Sequence, residues 1–311
     1  MAAVEGDKVY TSLLTNLKYL PGLLTLEFSL RKTGSKYPFL VLYTDSLEQE
    51  GLDALDRRGI PHQRVAYLLP KAHRDYGNDA RFYDCWSKLQ PFSMTQYTRV
   101  IQLDSDMLLL SRKDPATGTE LLGIDPLMTL PLSPQIFAAT HACVCNPHSK
   151  PHYPSNFTPS NCAYTTQHAD PNLAQTQGAP ASAGLSMCNG GLQVVSPNKE
   201  DYDTILRHLE EPGRTEGYDF ADQSLLSDAF RGRWVPLPYV YNALKTLRYA
   251  HKEIWRDEEV RNIHYILSPK PWEETEEDKA SPERDPLMAL WWEVNEERKG
   301  AERERGVVDG W

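Results

Sequence analysis

The chain has 311 residues, with 33 Lys and Arg against 43 Asp and Glu, for a formal charge of −10. At 40% hydrophobic and 24% charged, it has the balance of a soluble globular protein built as one large domain or two small ones. The acidic excess argues against a nucleic-acid partner, which needs clustered Lys and Arg, and no apolar run reaches the ~18 residues of a membrane span. In chain order, Lys8–Leu13 has the pattern of a strand, and Pro21–Arg31 has helical periodicity with Pro at its start. Pro38–Thr44 is a continuous apolar run of the kind buried in a parallel sheet, followed by a helical stretch over Leu47–Arg58. Gln63–Leu68 is expected as a third strand, Tyr83–Tyr97 as a helix interrupted near Pro91, and Arg99–Leu103 as a further strand. Such strand–helix alternation predicts a parallel, doubly wound sheet covered by helices on both faces.

Residues 141–183 break the pattern: they are rich in Pro, Asn, Ser and His, lack apolar periodicity, and are expected as a long insertion loop packed on the sheet. Regular structure resumes at Gly190–Val195 and in a helix through Asp201–Glu210. A last motif at Val260–Trp272 precedes an acidic tail, within which Pro286–Glu297 is expected as an amphipathic helix. The N-terminal MAAVEGDKVYTSLL lacks the basic and long apolar regions of a signal peptide, so a cytoplasmic location is expected. Five cysteines (Cys85, Cys143, Cys145, Cys162 and Cys188) are an odd number and do not suggest a disulfide framework in that setting. Asn156-Phe157-Thr158 matches a glycosylation sequon but is read as a turn.

The sharpest chemical signal is Ile101-Gln102-Leu103-Asp104-Ser105-Asp106. In extended chain, alternate side chains share a face, so Asp104 and Asp106 can converge on one cation beyond the carboxyl end of a strand, where ligands sit in such sheets. An Asp-x-Asp alone also occurs in surface turns. Asn262-Ile263-His264-Tyr265 and Lys270-Pro271-Trp272 add an imidazole and an ammonium near the end of the fold. Two carboxylates and one imidazole form a mixed O/N set that suits Mn²⁺ better than Mg²⁺, and Lys270 would then meet a diphosphate. The plainer reading of His264 is a buried structural histidine.

WSKLQPFSMTQYTRVIQLDSDMLLL, CNGGLQVVSP, YDFADQSLL and HYILSPKPW occur in an order and spacing that resemble glycosyltransferase family 8, with glycogenin and galactinol synthase-type enzymes as the nearest likenesses. The resemblance runs from about Val9 to Trp272 and implies a single GT-A domain over residues 1–272, with a mostly parallel Rossmann-like sheet. Residues 273–311 are then a charged helical C-terminal extension. It further implies a Mn²⁺-dependent enzyme, with Mg²⁺ a weaker substitute, that transfers glucose or galactose from a UDP-sugar with retention of anomeric configuration. Partners would be the UDP-sugar, a small hydroxyl acceptor such as a polyol or sugar, and a second copy of the chain in a homodimer.

Carried over by position, Asp104 and Asp106 match the family's metal-binding Asp-x-Asp with Ser105 between them, and His264 matches the third protein ligand. Lys270 matches a lysine that contacts the diphosphate. Leu14, Thr15, Asn16 and Tyr19 fall in the uridine-holding loop, although Thr15 and Asn16 would equally serve to cap the following helix. Lys88 matches a lysine on the sugar-nucleotide, and Asn189 and Gly190 the sugar-binding Asn-x-Gly region, where small residues let a hexose approach the backbone. Asp222 and Gln223 match a pair beside the anomeric carbon, and Asp219 would line the acceptor side. Asp222, Gln223 and Lys88 are thereby the candidate catalytic residues.

Three features depart from the family pattern. Leu267 replaces a Gly, the uridine-proximal Arg is Asp79 with Arg81 nearby, and the 141–183 insert has no counterpart in glycogenin. His141, Cys143, Cys145, His148, His152, Cys162 and His168 crowd that insert. Zinc sites use such ligands, but the C-x₂₋₄-C spacing is absent, and the expectation is reduced buried thiols and loop histidines. Trp272, Trp291 and Trp292 are expected in the core. Tyr249 stands seven residues after Asn242, as glycogenin's autoglucosylated tyrosine follows its asparagine, which makes a self-glucosylating primer the alternative to an enzyme with a separate acceptor. A sugar-nucleotide-binding protein without transferase activity is a third reading.

Overall fold

A computed structural model describes residues 4–77, 79–113, 120–121 and 123–311. Its strands are β1 (Lys8–Leu14), β2 (Phe39–Tyr43), β3 (His62–Arg64), β4 (Arg99–Leu103), β5 (Met107–Leu109), β6 (Arg112–Lys113), β7 (Glu120–Leu121), β8 (Phe137–Ala139), β9 (Leu192–Val195), β10 (Trp234–Pro236), β11 (Ala243–Leu244) and β12 (Asn262–His264). The helices are α1 (Leu20–Lys32), α2 (Gln49–Arg58), α3 (Arg81–Cys85), α4 (Ala163–Thr166), α5 (Lys199–Glu210), α6 (Ala221–Ala229), α7 (Leu247–Ala250), α8 (Glu276–Ala280) and α9 (Pro286–Glu304). Seven strands form the central sheet in the order β10-β8-β9-β4-β1-β2-β3, and β9 alone runs against its neighbours. The strands β1, β2 and β4 are buried almost throughout, which in β2 matches a continuously apolar sequence.

Some expectations shift in detail. The third strand is shorter than Gln63–Leu68 and ends at Arg64, because beyond it Tyr67 and Leu69 are exposed. The stretch around Pro91 is a short α-helix that tightens into a 3₁₀ segment over Trp86–Ser93; Pro91 has no amide hydrogen to continue an α-helical ladder. Asp104–Asp106 do not lie in extended chain. They form the turn between β4 and β5, so the turn, not strand alternation, brings the carboxylates together.

The second, three-stranded sheet, β11-β12-β5, stands beside this turn. Its antiparallel register sets His264 opposite Met107, one residue past Asp106, and the Tyr265 amide donates to the Asp106 carbonyl at 2.9 Å. The C-terminal segment packs on the sheet layers: α9 lies along α1, and Trp291, fully buried, meets Trp272 at 5.5 Å between ring centroids. Its charged end is partly buried as well. Arg58 of α2 binds Glu302 and Asp309, both at 2.8 Å, and Arg298 binds Glu302 at 2.6 Å. Among the described residues, no helix is long and apolar enough to cross a membrane.

Candidate active site

A cleft opens where β1 and β4 end, the position at which open α/β sheets present ligands. Asp104 and Asp106 enter it from the β4–β5 turn and His264 from β12. His264 Nε2 lies 3.2 Å from Asp106 Oδ1 and 3.6 Å from Asp104 Oδ2. Its other nitrogen, Nδ1, donates to Asn242 Oδ1 at 2.9 Å, which directs Nε2 at the carboxylates. The ligating atoms of Asp104, Asp106 and His264 all fall within 4.8 Å of one another, a donor set that fits a divalent cation with affinity for oxygen and imidazole.

Two ammonium groups bracket the carboxylates. Lys88 Nζ is 3.1 Å from Asp104 and 3.4 Å from Asp222, while buried Lys270 binds Asp106 and donates to the Tyr265 carbonyl at 2.7 Å. Burial alone would raise the Asp106 carboxyl, but Lys270 and His264 hold it well below the usual carboxylate range. Burial also works against the Lys88 ammonium, which Asp104 and Asp222 nonetheless keep charged. Asp222 behaves differently: burial pushes its carboxyl up to about 6 despite Lys88. Its Oδ2 is buried in the wall of the cleft, where it makes no hydrogen bond and is offset only by the Lys88 ammonium at 3.4 Å.

The floor is backbone. A Cβ on Gly190 would meet Asp222 Oδ2 at 2.4 Å, and one on Gly191 would meet His264 Cε1 at 2.4 Å, so both positions must be glycine for these side chains to stand where they do. The Gly190 amide and Asn189 Nδ2 donate to Gln223 Oε1 at 3.3 and 3.2 Å, anchoring that side chain against the floor. Asn242 Nδ2 donates to Asn189 Oδ1 at 2.8 Å, which joins floor and metal-ligand set in one network.

Of the residues expected from the sequence, Thr15, Asn16, Tyr19, Lys88, Asp104, Ser105, Asp106, Asn189, Gly190, Asp222, Gln223, His264 and Lys270 all line this cleft. Leu14 and Asp219 do not. The Leu14 side chain is fully buried in the sheet core, because it continues the inward face of β1, and Asp219 instead pairs with Arg74. Asn16 does not cap the next helical turn: its side chain makes no capping bond, and its buried Oδ1 is unpartnered. Arg81, left without a role in the sequence, also lines the cleft and donates to the Tyr19 hydroxyl at 3.1 Å. Sequence reasoning missed the aromatic wall of Phe82, Tyr153, Phe157 and Phe220, whose only signal was scattered aromatics, two of them in the insert. Leu267 lines the cleft with a φ of 66°, a left-handed conformation that costs a leucine roughly 1–2 kcal/mol.

Residues 10–276 match the family description "Glycosyl transferase family 8". The chain belongs to that family. Galactinol synthase 1 of Ajuga reptans is 26% identical over 302 residues, covering 94% of this chain and 83% of that protein. Glycogenin of Neurospora crassa is 25% identical over 301 residues, covering 94% of this chain but 36% of the longer fungal protein. Among solved structures, the galactosyltransferase LgtC in complex with donor and acceptor sugar analogs aligns with a TM-score of 0.57 at 15% identity, covering 93% of this chain and 95% of that one. The glycosyltransferase GlyE of Streptococcus pneumoniae gives 0.55 at 17% identity, covering 96% and 64%. The fold of this family 8 glycosyltransferase is GT-A.

Proposed function

We propose that this family 8 member is a Mn²⁺-dependent retaining hexosyltransferase of the cytoplasm, taking glucose or galactose from a UDP-sugar to a separate small hydroxyl acceptor. Residues 1–272 would be the transferase unit and 273–311 its docked extension. The observation that carries the reading is the Asp104–Asp106–His264 set, bracketed by Lys88 and Lys270 over a glycine floor. A divalent cation held by those three residues would supply positive charge to the diphosphate leaving group. Lys270 is anchored for the same role, since its ammonium is fixed by Asp106 and the Tyr265 carbonyl before any ligand arrives. Thr15, Asn16, Tyr19 and Arg81 form the end of the cleft that suits a nucleoside, with the unpartnered Asn16 Oδ1 as an acceptor. Asp222, Gln223 and Lys88 stand on the sugar side, where a carboxylate and an amide oxygen can stabilise developing positive charge at the anomeric carbon.

The acceptor is read as a separate molecule because the Tyr249 hydroxyl lies outside the cleft. It bonds His148 Nε2 at 2.9 Å, with the residue 52% exposed. The five cysteines, all free, are in keeping with a reducing compartment. Incubation with Mn²⁺ and a panel of UDP-sugars, each with and without polyol acceptors, tests the proposal by UDP release and intact mass. Full activity in EDTA, or UDP release from no donor in the panel, would overturn it.

A further inference from the structure

Cys143 and Cys145 lie just after β8, Cys162 immediately precedes α4, and His251 follows α7, a hundred residues from the first of them. The fold gathers all four. His251 Nε2 stands 3.1 Å from the sulfur of Cys145, 3.4 Å from that of Cys162 and 3.6 Å from that of Cys143, and the four ligating atoms lie within 4.8 Å of one another. A tetrahedral zinc with Zn–S of about 2.3 Å and Zn–N of about 2.0 Å sets nitrogen and sulfur roughly 3.5 Å apart. Cys162 and His251 are buried, and all three thiols are free.

The imidazole is aimed by a second one. His251 Nδ1 and His168 Nε2 are 2.9 Å apart, and the same Nε2 lies 3.8 Å from a Glu253 carboxylate oxygen. With Nδ1–H donating to His168, Nε2 carries its lone pair toward the sulfurs, which is the tautomer a metal-ligating histidine needs. The other insert histidines are used elsewhere: His141 bonds the Ala179 carbonyl at 3.0 Å, His148 bonds Tyr249, and His152 stacks edge-on against Tyr153.

We propose that Cys143, Cys145, Cys162 and His251 form a structural zinc site that pins the 141–183 insert to the segment following α7. Four protein ligands leave no open position, and three soft thiolates select zinc over the hard cations suited to the carboxylate set. The staple would fix the wall of the cleft, since Ala142 and Cys143 line it and Tyr153 and Phe157 belong to the same insert.

The chain expressed and purified without chelators or added metal should carry about one zinc per molecule by elemental analysis. X-ray absorption at the zinc edge should show three sulfurs and one nitrogen. Mercurial titration of the thiols should release the metal stoichiometrically, and Co²⁺ exchanged into the site should show thiolate charge-transfer bands. Cys162→Ser and His251→Ala should each lower zinc content well below one equivalent. If those variants fail to fold, the wild-type spectroscopy still decides. A folded wild-type chain free of zinc that takes up none from equimolar Zn²⁺, or bound zinc with only oxygen and nitrogen neighbours, would overturn the site. None of these readouts depends on transferase activity, so the proposed donor chemistry could fail while the zinc site stood.

Discussion

The Asp104–Asp106–His264 cluster and the Cys143–Cys145–Cys162–His251 cluster each converge on one imidazole whose second nitrogen is held by a neighbour, Asn242 in the first and His168 in the second. They differ in what balances their charge and in what they leave open. The carboxylates are offset by Lys88 and Lys270 and face an open cleft with an unpartnered acceptor at Asn16. The three thiols share one imidazole, His251, with Cys162 and His251 buried and Cys143 and Cys145 half-buried. Hard donors around an open position suit a cation shared with a substrate, while soft donors in a closed shell suit a cation that holds chain to chain. One molecule thus presents both designs on either side of the same cleft wall.

The largest separation should come from Asp104→Asn or Asp106→Asn. Each removes charge from the open set, and turnover should fall by roughly 10²–10³-fold, the scale of losing one preorganised electrostatic contact. Melting behaviour should persist, Mn²⁺ added after brief EDTA treatment should restore only the wild type, and zinc content should stay unchanged in all. Loss of both metals in one variant would collapse the distinction between the clusters.

Next in size is the sugar side. Lys88→Ala and Gln223→Ala should each lower kcat by roughly 10²-fold while UDP affinity changes far less, because UDP ends before the residues that face the hexose. Calorimetry showing UDP binding lost in parallel with turnover would move both residues to the nucleotide end.

A smaller and more symmetrical test compares the two residues that aim the imidazoles. Asn242→Ala should weaken Mn²⁺ about 10- to 100-fold and spare zinc, and His168→Ala should do the reverse. Asn242 is a positioning residue, so its kcat at saturating Mn²⁺ should recover most of the wild-type value. Failure of added Mn²⁺ to rescue would mean that Asn242 acts on the substrate through Asn189 instead.

The same pair of clusters explains what the sequence disclosed. The open site was legible because its parts sit in short motifs tied to regular structure: a strand ending in Asp104 and Asp106, and His264 in a strand with Lys270 close behind. Even there the geometry came from a turn, which periodicity does not encode. Leu14 illustrates the opposite failure: adjacent to Thr15 and Asn16 in the chain, it alternates into the core, so matching a loop by position carried one residue too far. The thiol cluster was only half legible, its three cysteines noticed and its histidine not, for a related reason. Its ligands come from irregular loops with no fixed spacing, and its fourth member, His251, stands outside the insert where no local pattern could link it to the cysteines. The packing of α9 was half visible. Its apolar face was readable from spacing, but the burial of Arg298 and Glu302 depends on Arg58, which lies far away in sequence.

The smallest expected effect belongs to Tyr249, which sits in α7, two residues before the His251 of the thiol cluster. The residue is 52% exposed and its hydroxyl bonds His148, so removing that hydroxyl takes away one surface contact and no part of the cleft. Surface changes of this kind stay within about ±0.5 kcal/mol, which bounds the change in rate or stability at roughly twofold. Tyr249→Phe should therefore release UDP from the active donor at the wild-type rate in the presence of a small acceptor, with free hexoside as product and the intact mass of both proteins unchanged. Should the wild type instead gain a ladder of hexose additions that Tyr249→Phe lacks, the tyrosine is the acceptor. Helix α7 would then have to present it to a cleft, whether its own or that of a second copy. A dilution series separates those two routes, since addition within one chain is independent of concentration and addition between copies is not.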